Sequence, residues 1–298
     1  MEGYIRRLCK DHNTTAIAIT PSDTNLFQPP TEPGPANKLL YQSLVGGLIY
    51  CLKTRHDIRK EVVYLSSKCV NPCVSDLKKA YRVLAYLNNT LSLGPSFYTK
   101  HGAILCAHVD AAYGVHMDGS SQSGYYISIG QNSAPICCYS AAQRSCVSVS
   151  SMEAEYVALS SCGRKLAHYR YFLSTIGFPQ DNPSTIYEDN QSAINLASAP
   201  QIPRKSRHIH VRHHYIRRLV EDKIVNLVHL PASSMTADLL TKPLHKSMFI
   251  PFSHKLLNIP TSLFSGCTLH PTTLFHNTLR LAHLCPIHNT YDRLSIRY

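Results

Sequence analysis

Four acids stand where regular elements are expected to begin or end: Asp110 in His-Val-Asp-Ala, Glu155 in Glu-Ala-Glu-Tyr, Asp189 in Tyr-Glu-Asp-Asn and Asp238 in Thr-Ala-Asp-Leu. Carboxylates that converge from separate elements hold hard divalent cations through their oxygens. Two such ions about 4 Å apart activate a water and steady a leaving oxygen, which is the chemistry of phosphodiester hydrolysis. Taken singly, each acid is more simply a helix cap or a solvated charge. The four together, in this order and on these element types, point to a metal site. Glu153 competes with Glu155, and two residues along a helix mean about 200° of rotation, so only one of them faces such a site. Ser150 and Glu153 have the spacing of a capping box. Glu155 shares a stripe with Ala158, Leu159 and Cys162, so Glu155 is the expected ligand.

The elements that must position these acids follow from periodicity. Short β-like runs appear at Ile104–Val109, Gly124–Ile129, Ala134–Tyr139 and Cys146–Val149, separated by Gly, Ser, Asn and Asp turns. A helix is predicted over Ser151–Ile176, then a strand (Thr185–Glu188), a helix (Gln191–Ala197), a long helix (Ile209–Asp222), a strand (Ile224–Leu230) and a helix near Thr236–Leu240. This alternation predicts an α/β fold, a mixed sheet covered by helices. Upstream, Leu40, Leu44, Leu48 and Leu52 fall on one helical stripe, and Leu77, Tyr81, Leu84 and Leu87 on another. Residues 38–100 are therefore expected to be a small helical unit whose apolar faces need a partner. Residues 1–37, with Gln28-Pro-Pro-Thr-Glu-Pro-Gly-Pro35, are expected to be an N-terminal arm and linker. Residues 101–259 make the sheet domain. Residues 260–298, rich in Thr, His, Leu and Pro, are expected to be poorly ordered.

Several stretches resemble, in order, the C-terminal end of copia-type retrotransposon Pol polyproteins. They are Tyr41-Gln-Ser-Leu-Val-Gly-Gly-Leu-Ile-Tyr50, Ser150-Ser-Met-Glu-Ala-Glu-Tyr-Val-Ala-Leu159, Tyr187-Glu-Asp-Asn-Gln-Ser-Ala-Ile194, His208-Ile-His-Val-Arg-His-His-Tyr-Ile-Arg217 and Ala237-Asp-Leu-Leu-Thr-Lys-Pro-Leu244. The resemblance implies the last helices of a reverse transcriptase followed by a ribonuclease H-like domain with a five-stranded mixed sheet. It further implies cleavage of the RNA strand of RNA–DNA hybrids with two Mg²⁺ (or Mn²⁺). Asp110, Glu155, Asp189 and Asp238 would be both the catalytic residues and the metal ligands, and the remainder of the reverse transcriptase would be a partner. As part of a larger polyprotein, the leucine stripes of 38–92 are expected to be partly exposed. The chain departs from the family pattern at Thr54-Arg-His-Asp-Ile58, where Pro is usual in place of His. It also has Tyr113 and Tyr139 where tryptophans are common, and Ser140-Ala-Ala-Gln143 where two lysines are usual. No Asp-Asp step occurs, so the polymerase's paired aspartates are absent.

A formal charge of +12 favours polyanionic partners. Arg144, Arg204, Lys205, Arg207 and Arg212 are the candidate contacts to the hybrid's phosphates. His208, His210, His213 and His214 lack a second ligand pair with a metal spacing, and Cys69 and Cys73 are better read as small buried residues than as zinc ligands. Eleven cysteines without a repeated spacing argue against a disulfide framework. No apolar run approaches the ~18 residues of a membrane span, and the first residues lack the apolar centre of a signal peptide. A cytoplasmic (virus-like particle) or nuclear protein, not a secreted one, is expected. Two other readings fit the same residues: a nucleic-acid-binding relic with weak or no catalysis, and an interaction module docking through residues 38–92.

Overall fold

The computed structural model describes residues 1–97, 104–130, 133–144, 148–201 and 211–259. Eight helices and five strands occur among them: α1 (Glu2–Asp11), α2 (Lys38–Cys51), α3 (Arg59–Ser66), α4 (Val74–Asn89), β1 (Leu105–Ala112), β2 (Gln122–Ile129), β3 (Pro135–Ala142), α5 (Ser151–Thr175), β4 (Ser184–Glu188), α6 (Gln191–Ser198), α7 (Tyr215–Glu221), β5 (Val225–His229) and α8 (Lys246–Leu257). The strands form one sheet in the order β3-β2-β1-β4-β5. β1, β2 and β3 are antiparallel neighbours, while β4 runs parallel to β1 and β5 parallel to β4. The fold is α/β, a mixed five-stranded sheet flanked by helices.

Alternation along β1 sends its residues to two different cores. Leu105, Ala107, Val109 and Ala111 face α5, α6 and α7, packing on Ala158, Leu159, Cys162, Leu196, Ile216 and Leu219. His108 and Asp110 point to the opposite face. There Tyr126 and Cys138 of the sheet pack with α1–α4, α8 and the 3₁₀ turn Thr236–Leu240. The sheet is the middle of three layers.

The helical layer differs from expectation in two ways. Glu2–Asp11 is a helix rather than an arm, and its Ile5, Leu8 and Cys9 are buried in the same core as α2 and α4. The leucine stripes are largely covered: Leu44, Leu48, Leu84 and Leu87 are fully buried, Leu52 nearly so, and only Leu40, Leu77 and Tyr81 are half-buried. Their partners come from α1, α8 and the Thr236–Leu240 turn, distant in sequence. Residues 1–258 form one compact unit.

Three further expectations change. Ser148 and Val149 are not in a strand, and Cys146 and Val147 lie outside the described residues. The long helix predicted over 209–222 is a 3₁₀ turn, Val211–His214, followed by the short α7. Thr236–Leu240 is 3₁₀ rather than α. Residues 260–298 lie outside the described residues.

Candidate metal centre

The acids reach one place by four local devices. Asp110 lies two residues before the end of β1, opposite Gly124 of β2. A Cβ on Gly124 would lie 2.6 Å from Leu240 Cβ and 2.7 Å from Thr241 Cγ2. Glycine therefore lets the Asp238–Lys242 segment settle against the sheet beside Asp110. Glu155 is aimed by the start of α5. Ser150 Oγ accepts from Glu153 N at 3.2 Å, and Glu153 Oε2 accepts from Val149 N at 2.8 Å. Glu153 is consumed by capping, and Glu155, two residues on, turns toward the sheet, 5% exposed. Asp189 follows β4, where Asn190 caps α6 by accepting from Ser192 N and Ala193 N at 3.0 and 3.1 Å. Asp238 sits in the 3₁₀ turn.

Two sets of ligand atoms result, each within 4.8 Å of one another: Asp110, Asp189 and Asp238, and Glu155, Glu188 and Asp189. Asp189 belongs to both, so the structure brings the four sequence-predicted acids together. Sequence reasoning missed Glu188. It is fully buried and, by the period of β4, shares the α5 face with Ser184 and Ile186.

The Asp110 side also holds a cation. Lys242 Nζ lies 3.1 Å from Asp110 Oδ1 and 2.9 Å from Asp238 Oδ1. Thr241 Oγ1 donates to Asp110 Oδ2. Lys60 of α3 donates to the Lys242 carbonyl at 2.7 Å, tying the helical layer to the site. Lys242 was missed as well, although its spacing of four from Asp238 is readable.

Burial and mutual repulsion dominate the electrostatics. Burial, then Glu188, Asp110 and Asp189, push the Glu155 carboxyl well above the usual range. Burial first, with Asp189 and Asp110 adding, does the same at Glu188. Burial and Asp110 raise Asp189, and together they bring Asp238 to about 7 although Lys242 opposes them. Burial would lower Lys242, but Asp110 and Asp238 outweigh it and raise it. Glu155 Oε2 and Glu188 Oε2 are buried without a hydrogen-bond partner. Five carboxylates facing one ammonium, with buried oxygens left over, fit a donor set for divalent cations.

Of the candidate phosphate contacts, Arg144 is exposed just beyond β3. Arg204, Lys205 and Arg207 lie outside the described residues, as do His208 and His210. Arg212 is in the 3₁₀ turn Val211–His214. His213 is buried, and His214 Nδ1 lies 2.9 Å from Tyr156 Oη. Cys73 caps α4 through Asp76.

No protein-family model matches the chain. Three retrovirus-related Pol polyproteins from transposons align with it: that of RE1 from Arabidopsis thaliana at 32% identity over 72% of this chain and 15% of the relative, that of RE2 from the same plant at 33% over 74% and 15%, and that of TNT 1-94 from Nicotiana tabacum at 30% over 73% and 16%. The chain thus spans 15–16% of the length of these relatives. Among solved structures, LC11-RNase H1 isolated from compost superposes with 15% identity over 47% of this chain and 93% of that one, at a TM-score of 0.37. That overlap is loose, and the fold rests on the strand order. Over nearly three quarters of its length the chain is similar to retrovirus-related Pol polyproteins from transposons.

Proposed function

We propose that this chain is the ribonuclease H part of a copia-type retrotransposon Pol polyprotein, cutting the RNA strand of RNA–DNA hybrids with two Mg²⁺ (or Mn²⁺). The observation that carries this reading is the meeting of Asp110, Glu155, Asp189 and Asp238 at one end of β1 and β4, joined through Asp189. Asp110, Asp189 and Asp238 would hold one cation, and Glu155 with Asp189 would face the other. Bound Mg²⁺ supplies an activated water and a stabilised leaving oxygen.

The chain's own residues orient this chemistry. Thr241 and Lys242 fix the Asp110 carboxylate from two sides. Lys242, 38% exposed, is placed to meet a phosphodiester oxygen at the mouth of the site. Gln143 braces α5 by donating to Ala154 O at 2.9 Å and to Ser123 Oγ at 2.7 Å. Recognition of the hybrid would rest on backbone charge with little sequence preference, through Arg144, Arg204, Lys205, Arg207 and Arg212. The rest of the reverse transcriptase would present the hybrid.

The test is cleavage of a labelled hybrid with Mg²⁺, with Mn²⁺ and with chelator, for the parent chain and Asp110→Asn. Cleavage that needs the metal and falls by more than about 10²-fold in the variant is expected, since even partners one shell outside the ligands cost 10–100-fold. Metal-independent cleavage would overturn the two-metal reading, and hybrid binding with no cleavage in the parent chain would favour a binding relic. That second reading has one observation of its own: Ala141 and Ala142, where lysines are usual, line a groove with Arg144, His116 and Tyr64 and leave it poorer in cations.

A further inference from the structure

Glu188 has no place in the four-acid site inferred above, yet it is the most enclosed carboxylate on the α5 side. It is fully buried, and its ligand atom lies within 4.8 Å of those of Glu155 and Asp189. Its two oxygens have different fates. Oε1 accepts from Asn190 N at 3.1 Å, which ties it to the turn that caps α6. Oε2 is buried with no partner, as is Oε2 of Glu155. A buried acid with an unmet oxygen is unfavourable unless something neutralises it. The ammonium of Lys242 bonds to Asp110 and Asp238, on the other side of Asp189.

We propose that Glu188 is a fifth carboxylate ligand of the metal centre, closing with Glu155 and Asp189 a second cation position beside the one framed by Asp110, Asp189 and Asp238. The inference rests on the metal-dependent reading above and names the residue that completes its second ion. The spacing suits a small hard cation. Oxygens about 2.1 Å from an octahedral Mg²⁺ stand roughly 3 to 4 Å apart, so side-chain adjustments of under an ångström close the set. Because Oε1 is held by the α6 turn, Glu188 meets the ion with one oxygen. Loading that position would therefore stiffen the β4–α6 junction that also carries Asp189.

Manganese binding tests this without reference to catalysis. The full chain and its Glu188→Gln and Asp110→Asn variants would be titrated with Mn²⁺, reading free ion by electron paramagnetic resonance. Thermal unfolding would be followed in chelator and in Mn²⁺. The parent chain is expected to bind two Mn²⁺. Glu188→Gln should lose one, or bind it at least tenfold more weakly. In chelator it should melt no lower than the parent, because burial beside other acids already disfavours a carboxylate there, while its stabilisation by Mn²⁺ falls by half or more. Glu188→Met, which also removes the charge at similar length, repeats the reading if the amide disturbs packing. Unchanged stoichiometry and affinity in both Glu188 variants, with binding weakened in Asp110→Asn, would overturn the role of Glu188 alone. A parent chain that binds no Mn²⁺ would overturn both this inference and the metal-dependent reading beneath it.

Discussion

Two clusters of buried charge, one in the helical layer and one at the sheet end, are built in opposite ways. In the helical layer two fully buried ion pairs balance their charge. Arg55 grips Asp57 with two hydrogen bonds of 3.0 and 2.8 Å, Tyr86 donates to Asp57 at 2.6 Å, and Thr90 accepts two more from the guanidinium. Lys60 pairs with Glu61 at 3.0 Å, and Ser22 donates to Glu61. Burial alone would raise the Asp57 carboxyl, but Arg55 and Tyr86 hold it below the usual range. At the sheet end, five carboxylates face one lysine, and Glu155, Glu188, Asp189 and Asp238 are all pushed up. A buried pair that balances its charge holds the chain together, though a hydrophobic replacement often does as well. A buried cluster left unbalanced is poor at that task, and perturbed acids of this kind concentrate at functional sites.

The contrast breaks most sharply at Asp57. Asp57→Asn strands the Arg55 guanidinium in the core, and uncompensating a buried pair costs about 3–5 kcal/mol. A large drop in the urea midpoint is expected, with Mn²⁺ binding by the remaining folded fraction unchanged. A midpoint close to that of the parent would mean the helical cluster does not hold the layer. Gly124→Ala probes the seam between the clusters. Its Cβ would press on Leu240 and Thr241 at under 3 Å, and overpacking of this kind costs about 1–3 kcal/mol. It should also displace Thr241 and Lys242 from Asp110, so Mn²⁺ affinity should fall along with stability. A loss of stability alone would separate the seam from the site.

Much of this was legible in the sequence, and the misses share a cause. Asp110, Glu155, Asp189 and Asp238 sit at element ends, which local patterns reveal, and Ser150 and Glu153 announce how α5 begins. Glu188 reads as an ordinary strand residue; only the parity of β4 relative to Ile186 places it opposite α5. The stripes of α2 and α4 do not show in the sequence as buried, because part of their cover comes from α8, more than a hundred residues further along the chain, and from α1. The family-like Thr54-Arg-His-Asp-Ile58 stretch proved to be the Arg55–Asp57 pair, a structural motif with no sign of it in the local period. Local spacing carries elements; it does not carry the partner of a face.

The same acid-to-amide change should have the opposite sign in the unbalanced cluster. Glu155→Gln, measured in chelator, removes a buried charge whose Oε2 has no partner. A neutral amide relieves the repulsion from Glu188, Asp110 and Asp189, so the variant should unfold at least as late as the parent, by a margin of about 1 kcal/mol. In Mn²⁺ the order should reverse, because the parent gains ligand energy that the variant cannot. If Glu155→Gln destabilises in chelator as Asp57→Asn does, the two clusters are alike and the comparison fails.

The smallest effect concerns His108, which belongs to neither cluster but separates their pH behaviour. Its ring stacks between Tyr126 at 4.6 Å and Tyr187 at 4.7 Å, and burial, with Lys255 adding, lowers its pKa to about 3. The unfolded chain protonates this histidine below about 6.5 while the folded chain does not. Its contribution is therefore level above pH 6.5 and turns against folding as pH falls toward 3. The raised carboxyls act the other way: they take up protons more readily when folded, so the acid cluster gains stability as pH falls through their range. In the parent chain the two trends oppose and partly cancel. His108→Phe keeps a ring in the stack and removes the titration. Any change in packing is a constant offset, so the informative quantity is how the stability difference between variant and parent varies with pH. It should be flat from pH 8 to 7, then grow in the variant's favour by at most about 1.4 kcal/mol per pH unit below 6.5. A difference that stays flat down to pH 5 would mean that His108 titrates in the folded chain as it does in water.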